Sequence, residues 1–218
     1  MIDDFLRDPA GAIQVLLLMI PGLLMAVTIH EVAHGWVAER LGDPTARLAG
    51  RLTLDPRPHI DPLGALAFVL AGFGWARPVP VDARNLRRPV RDMAFVAVAG
   101  PLSNFALAFV GLVLLVLTAR LLEGNPYVAR PVAGMLRYVY TFNLGLAIFN
   151  LIPLPPLDGG HFLPYFLPRR SWPLLARIQQ YGPLILLLLV FSGATRYIVG
   201  PLFALANALY LAALRAIF

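Results

Sequence analysis

The sequence predicts an all-α polytopic membrane protein of about five transmembrane helices, with a short re-entrant β-hairpin or loop between the first and the second. Three observations predict it. Residues 10–29, AGAIQVLLLMIPGLLMAVTI, carry no charge, and a helix of that length spans roughly 30 Å at about 1.5 Å per residue, the thickness of a bilayer core. Further apolar runs at about 93–119, 132–157, 183–195 and 197–214, in a chain that is 59% hydrophobic, leave no room for a sizeable soluble domain. Before the second span, PLGALAFVLAGFGW offers only about a dozen apolar residues between Arg-rich flanks, too few for a full crossing. Residues 1–218 therefore read as one membrane-embedded domain.

In order along the chain, the first helix is expected from about Ala10 to Leu41, with Pro21 and Gly22 as a kink. The residues before it carry Asp3, Asp4 and Asp8 with Arg7 as the sole cation, which lacks the basic start of a signal peptide and keeps this helix in the mature protein. Gly42-Asp43-Pro44 stops the helix. Two basic segments follow, Arg47, Arg51 and Arg57, then Arg77, Arg84, Arg87, Arg88 and Arg91, so the positive-inside rule places residues 42–91 in the cytoplasm and the N-terminus outside. The second span, about 93–119, holds AGPLSNF, in which Ala99 and Ser103 permit close helix approach, Pro101 bends the helix, and Asn104 is a polar group suited to joining helices. An external loop, 120–131, leads to a third span at about 132–153. The two short apolar segments beyond Arg169 and Arg170, separated by Arg196 and Gly200-Pro201, read as scaffold.

Charge and cysteine content exclude several classes. All 18 cations are Arg, and the net charge of +6 reports topology, because nucleic-acid binding requires a solvated basic face. With no Cys there is neither a disulfide framework nor a thiolate metal site, so any metal must be held by His and carboxylate.

Within the first helix lies His30-Glu31-Val32-Ala33-His34. The i, i+4 spacing sets His30 and His34 one turn apart on one face, where both reach a single Zn²⁺, with Glu31 beside the open coordination position. Ionisable groups at membrane depth are expensive without a function, which weighs against two histidines and a glutamate merely hydrogen-bonded inside a bundle. A third ligand is needed. The third span ends in Asn150-Leu151-Ile152-Pro153-Leu154-Pro155-Pro156-Leu157-Asp158-Gly159-Gly160, where prolines forbid further helix and glycines permit a turn, fixing Asp158 at the cytoplasmic depth of the two imidazoles. Asp158 is the leading candidate, with His161 and His59 as rivals; the alternative for Asp158 is a cap on the Gly159-Gly160 turn.

The combination of the H-E-x-x-H helix, Ala99-Gly100-Pro101 with Asn104, and Asn150 through Asp158-Gly159 resembles the site-2 protease family of intramembrane zinc metalloproteases, over about residues 15–195. The resemblance implies one Zn²⁺ per chain on His30, His34 and Asp158, Glu31 as the residue that activates water, and Asn150 as a contact to substrate or to the developing oxyanion. It implies single-span membrane protein substrates, cut within or near the bilayer after a first cleavage by a site-1-type protease, and an integral plasma-membrane location with the site facing the cytoplasm. The chain looks like a minimal member, with no segment for a PDZ domain and no C-terminal CBS domain. A helical substrate must unwind before it is cut, and GFGWARPVPVD (72–82), with alternating Val79 and Val81, is the expected hairpin edge for it to pair with. The competing class is a non-catalytic membrane metal-binding or transport protein; an ion path needs polar residues staggered along several helices, whereas these cluster at one depth.

Overall fold

The computed structural model describes residues 7–217, so Asp3 and Asp4 lie outside the described residues. Helix α1 (Pro9–Arg40) starts where the Asp8 side chain accepts a hydrogen bond from the Gly11 N–H (3.0 Å) and Pro9 supplies a preset φ, and it continues through Pro21. A single turn at Thr45–Leu48 and an irregular stretch lead to α2 (Pro62–Ala71), followed by α3 (Pro89–Leu121), α4 (Pro126–Asn150), α5 (Asp158–Phe166), α6 (Trp172–Phe191) and α7 (Thr195–Ile217). Among the described residues, α1, α3, α4, α6 and α7 are the five helices long and apolar enough to cross a membrane. The protein is an integral, multi-pass membrane protein.

The expected re-entrant β-hairpin does not form. No strand occurs among the described residues, and residues 60–82 hold one isolated antiparallel bridge, Ile60 with Ala76. The apolar stretch is instead the short helix α2. Asp61 caps it by accepting from the Gly64 N–H (2.9 Å), and Gly72 ends it at φ 74°, a left-handed conformation that glycine adopts freely. The following Pro78 and Pro80 lack the donors a ladder needs, so most of 72–82 carries no regular structure.

Helices α1, α3 and α4 make the central bundle. Apolar side chains gain little by leaving lipid for protein, so close backbone approach and interhelical hydrogen bonds hold such a bundle. At Gly22 of α1 a β-carbon would lie 2.7 Å from the Val139 nitrogen of α4, so only a residue without one lets these two backbones touch. Ala108 and Leu112 of α3 pack with Tyr140, Leu144 and Ile148 of α4 and Leu214 of α7. Two hydroxyls pin α7: Tyr210 to the Phe105 carbonyl (2.8 Å) and Tyr140 to Asn207 Oδ1 (2.6 Å). Outward residues such as Leu17, Leu114 and Leu188 are exposed apolar, as lipid-facing helix surfaces require.

At the Arg-rich end, Asp43 knots the loops together. It is fully buried and accepts from the Thr45 N–H (3.1 Å), the Thr45 hydroxyl, Asn85 Nδ2 (2.9 Å) and the Asp82 N–H (2.7 Å). Burial pushes its pKa up, but the hydrogen bonds from Thr45, Asn85 and the Asp82 backbone outweigh it and hold the carboxyl below its ordinary value.

Candidate metal centre

His30 and His34 lie six to ten residues before the end of α1, roughly 9–15 Å along the axis, and Asp158 is the first residue of α5. The intervening loop is set by close packing rather than by regular structure: a β-carbon on Gly159 would meet the Leu151 carbonyl oxygen at 2.6 Å, and one on Gly160 would meet the Pro155 ring at 2.6 Å. That folding back brings Asp158 Oδ2 to 3.1 Å from His30 Nε2 and Oδ1 to 3.3 Å from His34 Nε2, with the two Nε2 atoms 3.0 Å apart.

The other face of each imidazole is committed. His30 Nδ1 pairs with Asn104 Oδ1 (2.5 Å) and His34 Nδ1 with the Val96 carbonyl (2.7 Å), both on α3. Since both partners only accept at these atoms, each ring donates from Nδ1 and presents the lone pair of Nε2 to the centre. The site therefore gathers two imidazole lone pairs and a carboxylate with no donor among them. Asp158 Oδ2 is buried and has no hydrogen-bond donor. Such a set repels itself unless a cation joins it, and the donor types, all N and O within 4.8 Å of one another, suit a zinc ion. These three residues fit the metal that the sequence motif implies.

Asn104 does more than join helices. Besides holding His30 it donates through Nδ2 to the Ala26 carbonyl (2.9 Å) and to Asn143 Oδ1 (2.7 Å), and Asn143 in turn donates to the Val139 carbonyl (2.7 Å). A buried polar chain thus runs from α1 through α3 to α4. Gly100, on the same face of α3, lies flat against the rings: a β-carbon there would stand 2.6 Å from His34 Cε1 and 2.7 Å from His30 Cε1.

Glu31, half-buried, turns its carboxylate toward segment 72–82, where Oε2 accepts from the Val79 N–H (2.7 Å). That N–H is consequently not free to pair with another strand. Asn150 closes α4, and its amide donates to the Leu146 carbonyl one turn back (3.1 Å), leaving the second amide hydrogen for another partner. The structure does not bring the two rival histidines into the cluster. His59 is fully buried, with Nε2 against the Thr53 carbonyl (3.0 Å), and His161 Nδ1 faces the Leu157 carbonyl (3.2 Å). Sequence reasoning missed Gly100, Asn143 and the Val96 carbonyl as supports. Asn143 carried a legible signal, a polar side chain seven residues before Asn150 on an apolar helix; a backbone carbonyl carries none.

A model of peptidase family M50 matches residues 120–193. The chain is 37% identical over 203 residues to YwhC of Bacillus subtilis, covering 92% of this chain and 90% of that protein, whose name describes a zinc metalloprotease. It is also 30% identical over 192 residues to Rip2 of Mycobacterium tuberculosis, covering 86% and 71% of the two chains, and 31% identical over 194 residues to Rip2 of Mycolicibacterium smegmatis, covering 85% and 71%. Rip2 is likewise named for a zinc metalloprotease. No solved structure matches the chain.

Proposed function

From the premise that the chain belongs to peptidase family M50, with zinc as its cofactor, we propose that it is an intramembrane metalloendopeptidase that hydrolyses peptide bonds within or near transmembrane segments. The observation that carries this reading is the meeting of three lone-pair groups with no donor between them, two of them on a helix long and apolar enough to cross a membrane and next to the Glu31 carboxylate. His30, His34 and Asp158 would hold the ion and Glu31 would handle the proton. Bound there, zinc supplies Lewis-acid polarisation of the scissile carbonyl and a water acidified toward a pKa of about 7.

The chain's own groups account for the remaining steps. Val79 N–H fixes Glu31 Oε2, so Oε1 is the oxygen that takes a proton from the attacking water and returns it to the leaving amine. Asn104 and the Val96 carbonyl keep the imidazoles turned inward throughout. Asn150 offers its second amide hydrogen to the oxyanion. In this reading residues 1–218 act as a single membrane-embedded domain of the plasma membrane. The Arg-rich segment 42–91 sits at the end of the bundle nearest the site, which supports a cytoplasm-facing centre. Substrates are single-span proteins, shortened first by a site-1-type protease, with helix-breaking Gly, Pro or Asn near the cut so that the bond can be extended.

Full-length protein purified in detergent and incubated with a single-span reporter tests the proposal. Glu31→Gln should keep zinc and lose cleavage; cleavage at the wild-type rate would remove Glu31 from the chemistry, whereas a zinc-loaded wild type that leaves the reporter intact would point to metal binding without catalysis. Asp158→Ala should lose zinc while His161→Ala keeps it, and the reverse pattern would move the third ligand to His161.

A further inference from the structure

The sequence Arg77-Pro78-Val79-Pro80 allows one backbone donor among its last three residues, because proline has none. That donor, the Val79 N–H, is the one that meets Glu31 Oε2 at 2.7 Å. The carbonyl of the same peptide unit belongs to Pro78, and it accepts from an Arg51 guanidinium nitrogen at 3.0 Å, while the other terminal nitrogen reaches the Arg77 carbonyl at 2.6 Å. The Pro78–Val79 bond is trans, so its C=O and N–H point in opposite directions. One peptide plane therefore stands between a cation and a carboxylate, its negative end toward Arg51 and its positive end toward Glu31.

Arg51 is an unusual residue to find in this place. It is 8% exposed, its Nε has no partner, and it makes no ion pair within 4 Å among the described residues. A buried guanidinium without a carboxylate is costly, and a loop needing only an anchor could use a neutral donor. The fork of an arginine reaches two successive carbonyls at a fixed angle, which a single donor cannot do. Elsewhere the backbone of the segment is hydrogen-bonded through the Arg77 N–H to the His59 carbonyl (2.9 Å) and, further on, through the Asp82 N–H to Asp43. The Val79 side chain is itself buried beside Gly35, but among the described residues Arg51 is the group that hydrogen-bonds the carbonyl of the Val79 peptide plane.

We propose that Arg51 is a positioning residue for Glu31, acting through the Pro78–Val79 peptide plane to hold the carboxylate in its proton-transferring orientation. The inference rests on the hydrolytic reading given above. Without Arg51 the plane is free to rotate, the Val79 N–H leaves Oε2, and Glu31 spreads over several rotamers. Zinc binding and substrate binding do not depend on it.

The test is a double-mutant cycle on the purified full chain, reading zinc content, kcat and KM on the same single-span reporter. Arg51→Ala should lower kcat by about 10- to 100-fold, with zinc and KM close to wild type. Val79→Pro, which leaves both carbonyls for Arg51 but removes the donor to Glu31, should do the same. The double variant should lose no more than the larger single loss, because both changes break one path. Arg51→Lys, retaining the charge but with a single nitrogen in place of the fork, should recover part of the rate. Multiplicative losses in the double variant, wild-type kcat in Arg51→Ala, or loss confined to KM or zinc would each overturn the inference. Wild type and Glu31→Gln in the same preparation separate the two claims: a zinc-loaded wild type without cleavage overturns the hydrolytic reading itself, cleavage by Glu31→Gln overturns the role of Glu31 and with it that of Arg51, and an inactive Glu31→Gln beside a fully active Arg51→Ala overturns the role of Arg51 alone.

Discussion

Replacing Asn104 by alanine removes the acceptor for His30 Nδ1 and the donor to Asn143 Oδ1, two buried groups that would then lack partners. An unsatisfied buried polar group costs about 1–3 kcal/mol, so the fold loses roughly 2–6 kcal/mol unless water enters. The effect on the metal is separable. With no acceptor at Nδ1, the neutral ring is free to place its proton on Nε2, the nitrogen that faces Asp158 and His34, and loss of such a support lowers metal affinity by about 10- to 100-fold, or roughly 1.4–2.8 kcal/mol. Asn104→Asp provides the contrast. It keeps an oxygen for His30 but turns its other oxygen toward the Ala26 carbonyl and Asn143 Oδ1, two acceptors. Competition with a chelator of known affinity, run beside thermal unfolding in detergent, should show Asn104→Ala losing zinc affinity and Asn104→Asp losing mainly stability. Wild-type zinc affinity in Asn104→Ala would refute the orientation argument, because Asn104 is the partner that fixes the His30 ring at Nδ1 among the described residues.

Gly100→Ala should reduce zinc to well below one ion per chain, since a methyl group 2.6–2.7 Å from both imidazoles must displace a ring or separate α1 from α3; metal analysis of the purified variant checks it. Asn150→Ala should retain zinc and lower turnover by about 10²-fold, the usual loss for one oxyanion donor, and steady-state kinetics with metal analysis would expose a structural role if zinc fell as well. Asp43→Asn should cost about 2 kcal/mol or more by placing an amide against backbone donors. Because the folded pKa of Asp43 is depressed, its contribution is fully present above the unfolded value of about 3.9 and is lost as pH falls through the lower folded value; melting temperatures between about pH 5 and pH 3 should drop more for wild type than for Asp43→Asn.

The parts of this molecule legible in the sequence are those governed by local periodicity or by length. The His30–His34 spacing needs nothing beyond helical geometry, and uncharged runs fix the number of spans because bilayer thickness does. Boundaries were less legible: α4 begins at Pro126, not near residue 132, since Arg130 and Arg137 lie inside a helix that starts with a Pro at its first position. The expected hairpin is absent because Pro78 and Pro80 leave too few donors for a ladder on either edge, and because the Asp61 and Gly72 caps make PLGALAFVLA a helix. The supports of the metal centre were hidden for a different reason. Asn143, Gly100 and the Val96 carbonyl matter through contacts between helices remote in sequence, and no local pattern encodes which faces meet.

The metal cluster joins residues made at well-separated times during synthesis. His30 and His34 are made before their supports on α3, and Asp158 follows only once α4 has been laid down and the proline-rich loop has turned back. A nascent chain that has not yet passed residue 158 holds two inward-facing imidazoles and no carboxylate, so the centre cannot close around an ion during the early stages of insertion.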